Sequence, residues 1–185
     1  VLVRRASEPL TEILRDMLKH STNLTAEMVG LAATKASGTA VTSIAASAAG
    51  MQAWAEQQLG MRTPKFVDPS GLGDASHITT SGMVSAMIAA ERFGLTALLK
   101  DIPLRDERGK VNKAHPLQVI AKTGTLNFTS TLSGFATTAQ GKRLVFAIFS
   151  IDAAARRKIK TEERENPPGA AAWNKKAKRL QQALL

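Results

Sequence analysis

The hydrophobic period changes once along this 185-residue chain, and that change constrains the fold more than any other feature. Up to about residue 95, apolar residues recur at the three- and four-residue spacing of amphipathic helices. After Leu117 the period becomes two, as in half-buried strands, and three such runs follow one another. Helices that precede a meander of antiparallel strands predict an α+β fold, with the helices packed on an antiparallel β-sheet.

Local signals place the predicted helices. Ser7 is a candidate cap and Pro9 a first-turn residue for the first helix, Gly60 is a helix terminator, and Thr79 with Thr80 caps a fourth helix. The helices in this part of the chain are predicted over 9–19, 25–34, 41–59 and 81–93.

The second half is predicted to be mostly sheet. The strand-like runs cover 117–125, 131–138 and 143–151, and the polar segment 101–116 is predicted to be a loop. Gln140-Gly141 predicts a two-residue hairpin turn between the last two runs. A final amphipathic helix is expected over 170–185, with an apolar face that includes Ala172, Trp173, Leu180 and Leu184.

Composition excludes several classes of protein. With 44% hydrophobic and 22% charged residues, the chain is typical of one globular domain, and no apolar run is long enough to span a bilayer. The absence of cysteine excludes disulfides, zinc-thiolate sites and thiol nucleophiles. Three scattered histidines predict no metal site, and no cofactor is expected. Val1 is not an initiator methionine and no secretory leader follows it, so we expect the chain to begin inside a longer protein.

Positive charge is concentrated near the C-terminal end. The formal net charge is +10, and the segment from Arg156 onward holds nine basic and three acidic residues. Such a segment is either a solvated face or a contact for an anionic partner. Aromatic residues make up 4% of the chain and tyrosine is absent, so we expect no nucleic-acid partner.

Two short motifs carry the chemistry. Ser21-Thr22-Asn23 lies between the first two predicted helices, and Lys122-Thr123-Gly124 enters a predicted strand 101 positions later. Taken alone, Ser21 could merely cap the helix that starts near Thr25, and Lys122 could be a solvated charge at the end of a strand.

Together, in this order, the two motifs resemble the second and third motifs of the active-serine penicillin-recognising enzymes. The surrounding segments 21–28, 67–72, 122–126 and 132–135 strengthen this resemblance. The chain is similar to the class C low-molecular-mass penicillin-binding proteins, the D-alanyl-D-alanine carboxypeptidase/endopeptidase family. The resemblance implies the C-terminal half of a penicillin-binding/β-lactamase-like transpeptidase domain.

The first motif of that family is missing. It is Ser-Xaa-Xaa-Lys, which supplies the nucleophilic serine and its activating lysine on one helical turn, and no serine of this chain has a lysine three residues later. The resemblance therefore implies that residues 1–185 are the C-terminal part of one domain. Its upstream half would carry the nucleophile and two further strands of a five-stranded sheet.

The resemblance also implies roles for six residues. Ser21 relays a proton to the leaving amine, Asn23 holds the amide carbonyl of the peptide, and Lys122 supplies positive charge beside Ser21 and the substrate carboxylate. In the substrate-binding strand, Thr123 donates to that carboxylate, Gly124 allows close approach of the ligand, and the N–H of Thr125 forms half of the oxyanion hole.

These features lead to two hypotheses of different class. The first is a serine-type D-Ala-D-Ala carboxypeptidase/endopeptidase of peptidoglycan, periplasmic or otherwise extracytoplasmic. Its partners would be stem peptides ending in D-Ala-D-Ala, β-lactam antibiotics and its own N-terminal half. The second is a non-catalytic module that uses the basic C-terminal segment on an anionic wall polymer or on nucleic acid. Binding by that segment would weaken steeply with ionic strength, whereas acylation would not.

Overall fold

The sheet of this protein lies between two helical layers. A computed structural model describes residues 3–106 and 108–185. Helices α1 (Leu10–His20), α2 (Asn23–Ala36), α3 (Ile44–Leu59) and α4 (Thr80–Arg92) precede the strands, and α5 (Ala153–Arg157) and α6 (Ala170–Ala183) follow them. Helix α4 packs on one face of the sheet and α6 contacts the other. The predicted α+β class, with helices packed on an antiparallel sheet, is confirmed.

Helix boundaries agree with the local signals at two of the predicted ends, the start of α4 and the end of α3. The Thr79 side chain accepts a hydrogen bond from Gly82 N at the start of α4. Helix α3 begins at Ile44 rather than at the predicted residue 41, because the Ser43 side chain caps it by accepting from Ala46 N. Gly60 ends α3 in the left-handed conformation, with φ 64°. The predicted Ser7 cap is wrong, because Pro9 is the N-cap of α1 and no side chain caps that helix.

Four strands form one antiparallel sheet in the order β1-β2-β3-β4. They are β1 (Lys100–Asp101), β2 (Gln118–Leu126), β3 (Thr129–Thr137) and β4 (Arg143–Ile151). The three long strands were expected, but β1 was not, since 101–116 was predicted to be a loop. Lys100 and Asp101 pair with Ala121 and Ile120 of β2, a contact that no local pattern encodes.

The two hairpin turns have different geometries. Asn127 and Phe128 join β2 to β3 as a two-residue turn, and Phe128 has φ 54°. The predicted two-residue turn at Gln140-Gly141 is wrong: Thr138 N–H donates to the carbonyl of Lys142 across a three-residue loop. Gly141, with φ 80°, takes the left-handed position that such loops require.

Strand alternation gives the sheet two chemically different faces. Leu104 packs with the β2 residues Val119 and Ala121 and the β3 residues Leu132 and Ala136 in the core on the α6 face. The side chain of Lys122 therefore lies on the opposite face, on which α4 packs, and position 124 faces the same way. Arg143 on that face lies over the Phe135 ring and pairs with Glu91 of α4.

The apolar face predicted for the last helix is largely wrong: of its four residues only Trp173 is partly buried, edge-on against the Phe128 ring. Leu180 and Leu184 are 53% and 62% exposed, whereas Ala170, Ala177 and Gln181 are buried. These three recur at seven- and four-residue spacing, so small and amide side chains, rather than the leucines, face the sheet. No helix in the described ranges is long and apolar enough to cross a membrane.

Candidate active site

The chain bends sharply at Ser21-Thr22-Asn23. Ser21 ends α1 in the left-handed conformation, with φ 55° and ψ 50°, which is uncommon for a residue other than glycine. Thr22 is the N-cap residue of α2, and Asn23 is its first residue. The alternative that Ser21 caps α2 is therefore wrong, and its exposed hydroxyl is available for other contacts.

The structure brings the two motifs together. Lys122 Nζ donates a hydrogen bond to Ser21 Oγ at 2.5 Å and another to the carbonyl oxygen of Thr123 at 2.6 Å. Lys122 lies in the middle of β2 and projects toward the helical layer, where the α1–α2 junction presents Ser21. The alternative of a solvated strand-end charge is inconsistent with both contacts. Asn23 lies two residues beyond Ser21 and is exposed.

The environment of Lys122 changes its proton affinity. Burial of the ammonium group, followed by repulsion from Lys100 on β1, lowers the pKa of Lys122 below its ordinary value. A lysine with a lowered pKa exchanges protons more readily near neutral pH. The hydroxyl of Ser21 is in direct hydrogen-bond contact with this amine, so a proton can pass between the two groups.

The outer edge of β2 is open beside this pair. The N–H of Ile102 donates to Val119 O, so backbone groups at odd-numbered positions of β2 point away from β3. Because β1 begins at Lys100, opposite Ala121, the N–H groups of Thr123 and Thr125 have no strand partner in the part of the chain that the structure describes. An extended peptide could pair with this edge as an added strand.

The three predicted substrate-binding residues occupy different positions around that edge. Thr123 and Thr125 place their side chains on the α6 face, opposite Lys122, while their backbone groups lie at the edge. Gly124 is paired with Thr131, and a Cβ at Gly124 would collide with the Thr131 hydroxyl. The obstructing atom is a side-chain hydroxyl, so a larger residue at this position would require the Thr131 side chain to rotate.

A rigid turn supports α2 behind the site. The Asp68 carboxylate accepts hydrogen bonds from Ser70 Oγ and from the N–H groups of Gly71, Leu72 and Gly73. Burial alone would raise the pKa of Asp68, but these hydrogen bonds outweigh it and the pKa is lowered. Glu27 of α2 accepts from the N–H of Ser70, which ties the turn to the helix that begins at Asn23.

Sequence reasoning missed the contribution of Lys100. It lies 22 positions before Lys122 and reaches it only because β1 pairs with β2. No motif or periodicity precedes this two-residue strand, so no local signal could have found it. The described residues contain no group of three His, Cys, Asp or Glu side chains arranged to hold a metal ion.

Comparison with solved structures shows the same fold in penicillin-binding proteins. Penicillin binding protein 4 (dacB) from Haemophilus influenzae superposes with a TM-score of 0.64 at 21% identity, covering 94% of this chain and 40% of that one. Its complex with a novel β-lactam gives 0.60 at 22% identity, covering 94% and 42%. The Bd0816 predatory endopeptidase from Bdellovibrio bacteriovorus, in complex with immunity protein Bd3460, gives 0.55 at 20% identity, covering 97% and 47%.

The chain therefore spans less than half the length of these proteins. No curated protein sequence matches it significantly. The sequence model of the D-Ala-D-Ala carboxypeptidase 3 (S13) family, in contrast, matches residues 1–165, which include both motifs and all four strands. The chain belongs to the D-Ala-D-Ala carboxypeptidase 3 (S13) family.

Proposed function

We propose that this chain is the C-terminal part of a serine-type D-Ala-D-Ala carboxypeptidase/endopeptidase that acts on peptidoglycan outside the cytoplasm. The observation that carries the proposal is the 2.5 Å hydrogen bond from Lys122 Nζ to Ser21 Oγ, because it joins two motifs 101 residues apart. Membership of the S13 family favours this function over a non-catalytic binding module.

The nucleophile would come from an upstream segment of the same domain. Strand β4 supports this part of the proposal, since it is nine residues long, largely apolar and the last strand of the described sheet. Leu144 of β4 is 44% exposed, and Leu180 and Leu184 of α6 are 53% and 62% exposed. A long apolar edge strand is an aggregation site unless it is paired or covered. The upstream half would pair with β4, cover these leucines and present Ser-Xaa-Xaa-Lys to Ser21.

In the proposed reaction, the upstream serine attacks the carbonyl carbon of the penultimate D-alanine. The C–N bond breaks, the acyl group stays on the serine, and the proton that the serine hydroxyl loses is matched by one that reaches the leaving amine through Ser21 and Lys122. Water then hydrolyses the ester. A β-lactam undergoes the same first step at its ring amide. Because that amide is cyclic, the released amine remains covalently attached to the acyl group.

Substrate would lie along the open edge of β2. The N–H of Thr125 points outward there and would stabilise the oxyanion together with the N–H of the upstream serine. Asn23 would hold the peptide carbonyl from the helical side, and Lys122 would attract the terminal carboxylate. The Thr123 side chain lies on the α6 face, opposite Lys122. Its hydroxyl would therefore reach this carboxylate only if the carboxylate lies at the outer edge of β2, between the two faces of the sheet. Gly124, which has no Cβ, would let the ligand approach the strand backbone closely.

Acylation by a fluorescent penicillin tests this proposal in the full-length protein that contains this chain. We expect one label per molecule, on an upstream serine that has a lysine three residues later, as located by peptide mapping. Ser21→Ala and Lys122→Met should each slow acylation by about 10²- to 10⁴-fold, the range typical of a lost proton-transfer group.

Matched controls separate loss of chemistry from loss of fold. Ser7→Ala and Lys142→Met remove the same side-chain types at exposed positions and should label at the parental rate. A label on any serine within residues 1–185 would contradict the proposed division of the domain. Parental rates in both site variants would contradict the assigned roles.

The proposed division also predicts how residues 1–185 behave alone. Without a partner for β4, this fragment should aggregate or unfold without a cooperative transition, and co-expression with the upstream half should restore a cooperative transition. Sedimentation and thermal unfolding measure both properties. A cooperatively folding monomer of the isolated fragment would show that β4 needs no added strand.

A further inference from the structure

An open cleft lies on the side of the sheet opposite Ser21. It has a volume of about 1170 Å³ and separates α6 from the segments 102–106 and 108–109, with the β2–β3 hairpin as its floor. Thr123 and Thr125 line it, so the cleft reaches the same strand whose outer edge is open beside Lys122. The N–H of Arg105 donates to the Gln182 side chain, which ties the two walls together. We call this cavity the α6 cleft.

The walls of the α6 cleft are strongly basic. Among the residues that the structure describes, five cationic side chains line the cleft, and the only carboxylate in its lining is that of Asp106. Among the described residues, none of these five side chains forms an ion pair within 4 Å. The three ion pairs of the described chain involve other basic residues. Uncompensated like charges around a concavity attract an anion. The five cations are Arg105, Arg108, Lys175, Lys178 and Arg179.

Two buried amide groups in the lining lack partners. Gln181 is 4% exposed, and its Nε2 has no acceptor. Asn174 donates to the carbonyl of Leu126, which fixes its orientation and leaves its buried Oδ1 without a donor. Buried polar atoms of this kind are rarely left unpaired in folded proteins. Both atoms have almost no accessible surface, so a ligand contacts them only after the side chains around them move aside. A ligand that then satisfies both must supply an acceptor and a donor.

We propose that the α6 cleft binds the acidic peptide arms of polymeric peptidoglycan at a second site, separate from the reacting peptide. This inference rests on the proposed function for the identity of the polymer. A peptide provides carboxylates for the cations, carbonyl groups for Gln181 Nε2 and N–H groups for Asn174 Oδ1. A phosphodiester polymer provides acceptors only and would leave Asn174 Oδ1 unpaired. Through Thr123 and Thr125, the cleft would hold a neighbouring arm while the outer edge of β2 holds the reacting one.

Co-sedimentation with insoluble peptidoglycan tests the proposal in the full-length protein. A Ser21→Ala background prevents cleavage of the polymer during the measurement. The cleft variant carries Lys175→Ala, Lys178→Ala and Arg179→Ala, all at exposed positions of α6. The control variant removes the same amount of charge elsewhere, through exchange of three exposed residues for alanine. These are Lys35, Arg62 and Lys65.

We expect the cleft variant to bind about tenfold more weakly than the control variant, the sum of three screened ion pairs. Its affinity should also depend less on salt concentration. Binding by the parent should survive removal of phosphate polymers from the peptidoglycan and should be lost when the peptide carboxylates are amidated. Equal affinities of the two variants, or binding that survives amidation, would overturn the proposal.

Two further outcomes have separate meanings. Binding that disappears when phosphate polymers are removed would assign the cleft to those polymers and overturn its assignment to peptide. Penicillin acylation, measured in the Ser21 parent background, should proceed at equal rates in the cleft and control variants. If acylation is absent from every variant, the proposed function fails. The comparison of binding would still stand, because it does not use the nucleophile.

Discussion

Gly134 of β3 is the position at which a single methyl group should damage this fold most. It pairs with Ala121 of β2, and an added Cβ would lie 2.6 Å from both Cα and Cβ of Ala121 and still closer to the carbonyl oxygen of Ile120. Carbon atoms pack best at about 3.5 to 4.0 Å. Since the obstructing atoms belong largely to backbone, no side-chain rotation can relieve the overlap. Gly134→Ala therefore forces β2 and β3 apart by on the order of 1 Å.

The cost follows from this geometry. Overpacking of a core typically costs about 1 to 3 kcal/mol, and a backbone obstruction in the centre of a sheet belongs at the upper end, near 3 kcal/mol. In a domain of this size, that corresponds to a fall in Tm of roughly 6 to 12 °C. Ala121 is adjacent to Lys122, so the same displacement should also weaken the contact with Ser21 and slow acylation by penicillin.

Calorimetric and urea unfolding of the full-length protein measure this effect, with Gly50→Ala as the matched control. A Cβ at Gly50, inside α3, would make one ordinary contact of 3.4 Å with Thr34 Cγ2. Removal of glycine from a helix interior should stabilise the protein by about 0.5 to 1 kcal/mol. The two glycine-to-alanine changes thus have opposite expected signs. A Gly134→Ala protein with parental Tm and acylation rate would refute the steric argument.

Three further predictions concern the site and its supports. Asp68→Ala should destabilise the protein by about 2 kcal/mol through loss of the turn's acceptor. Because folding lowers the pKa of Asp68, this difference should be present above pH 3.8 and shrink as the pH falls through the lower folded value, as urea unfolding at a series of pH values would show. Lys100→Ala removes a repulsive charge and should raise the pKa of Lys122; because the proposed role needs the protonated ammonium, the falling limb of the acylation profile should move to higher pH, and an unchanged limb would exclude Lys122 as the titrating group. Thr79→Ala should cost about 1 kcal/mol through loss of the α4 cap, and Thr79→Ser, which keeps the acceptor, should recover most of it in thermal unfolding.

Much of the fold is predictable because its signals are local. Cap residues, helix terminators and hydrophobic period act over a few positions, so α3 ends where Gly60 predicts and α4 begins next to Thr79, as predicted. Prediction failed where the outcome depends on distant contacts. Strand β1 exists only because β2 supplies its partner, and Gln140-Gly141 belongs to a three-residue loop that closes through Thr138 and Lys142.

Helix α6 shows the same division most clearly. Periodicity predicts an amphipathic helix but cannot say which flank meets the sheet. Leu180 and Leu184 remain exposed, while Gln181 is buried next to Ser130 of β3. The hydrophobicity of a side chain determines how much free energy its burial would contribute. The arrangement of neighbouring elements decides whether the side chain is buried.

The sequence by itself determined the order of helices and strands, the two motifs and the absence of Ser-Xaa-Xaa-Lys, since each of these is a property of residue types at short spacing. Only the tertiary structure decided that Lys122 contacts Ser21, that Lys100 lowers its pKa and that five cations surround one cleft. These properties depend on distances of a few ångströms between residues far apart in the chain. Coulomb and hydrogen-bond energies vary with those distances, and only packing sets them.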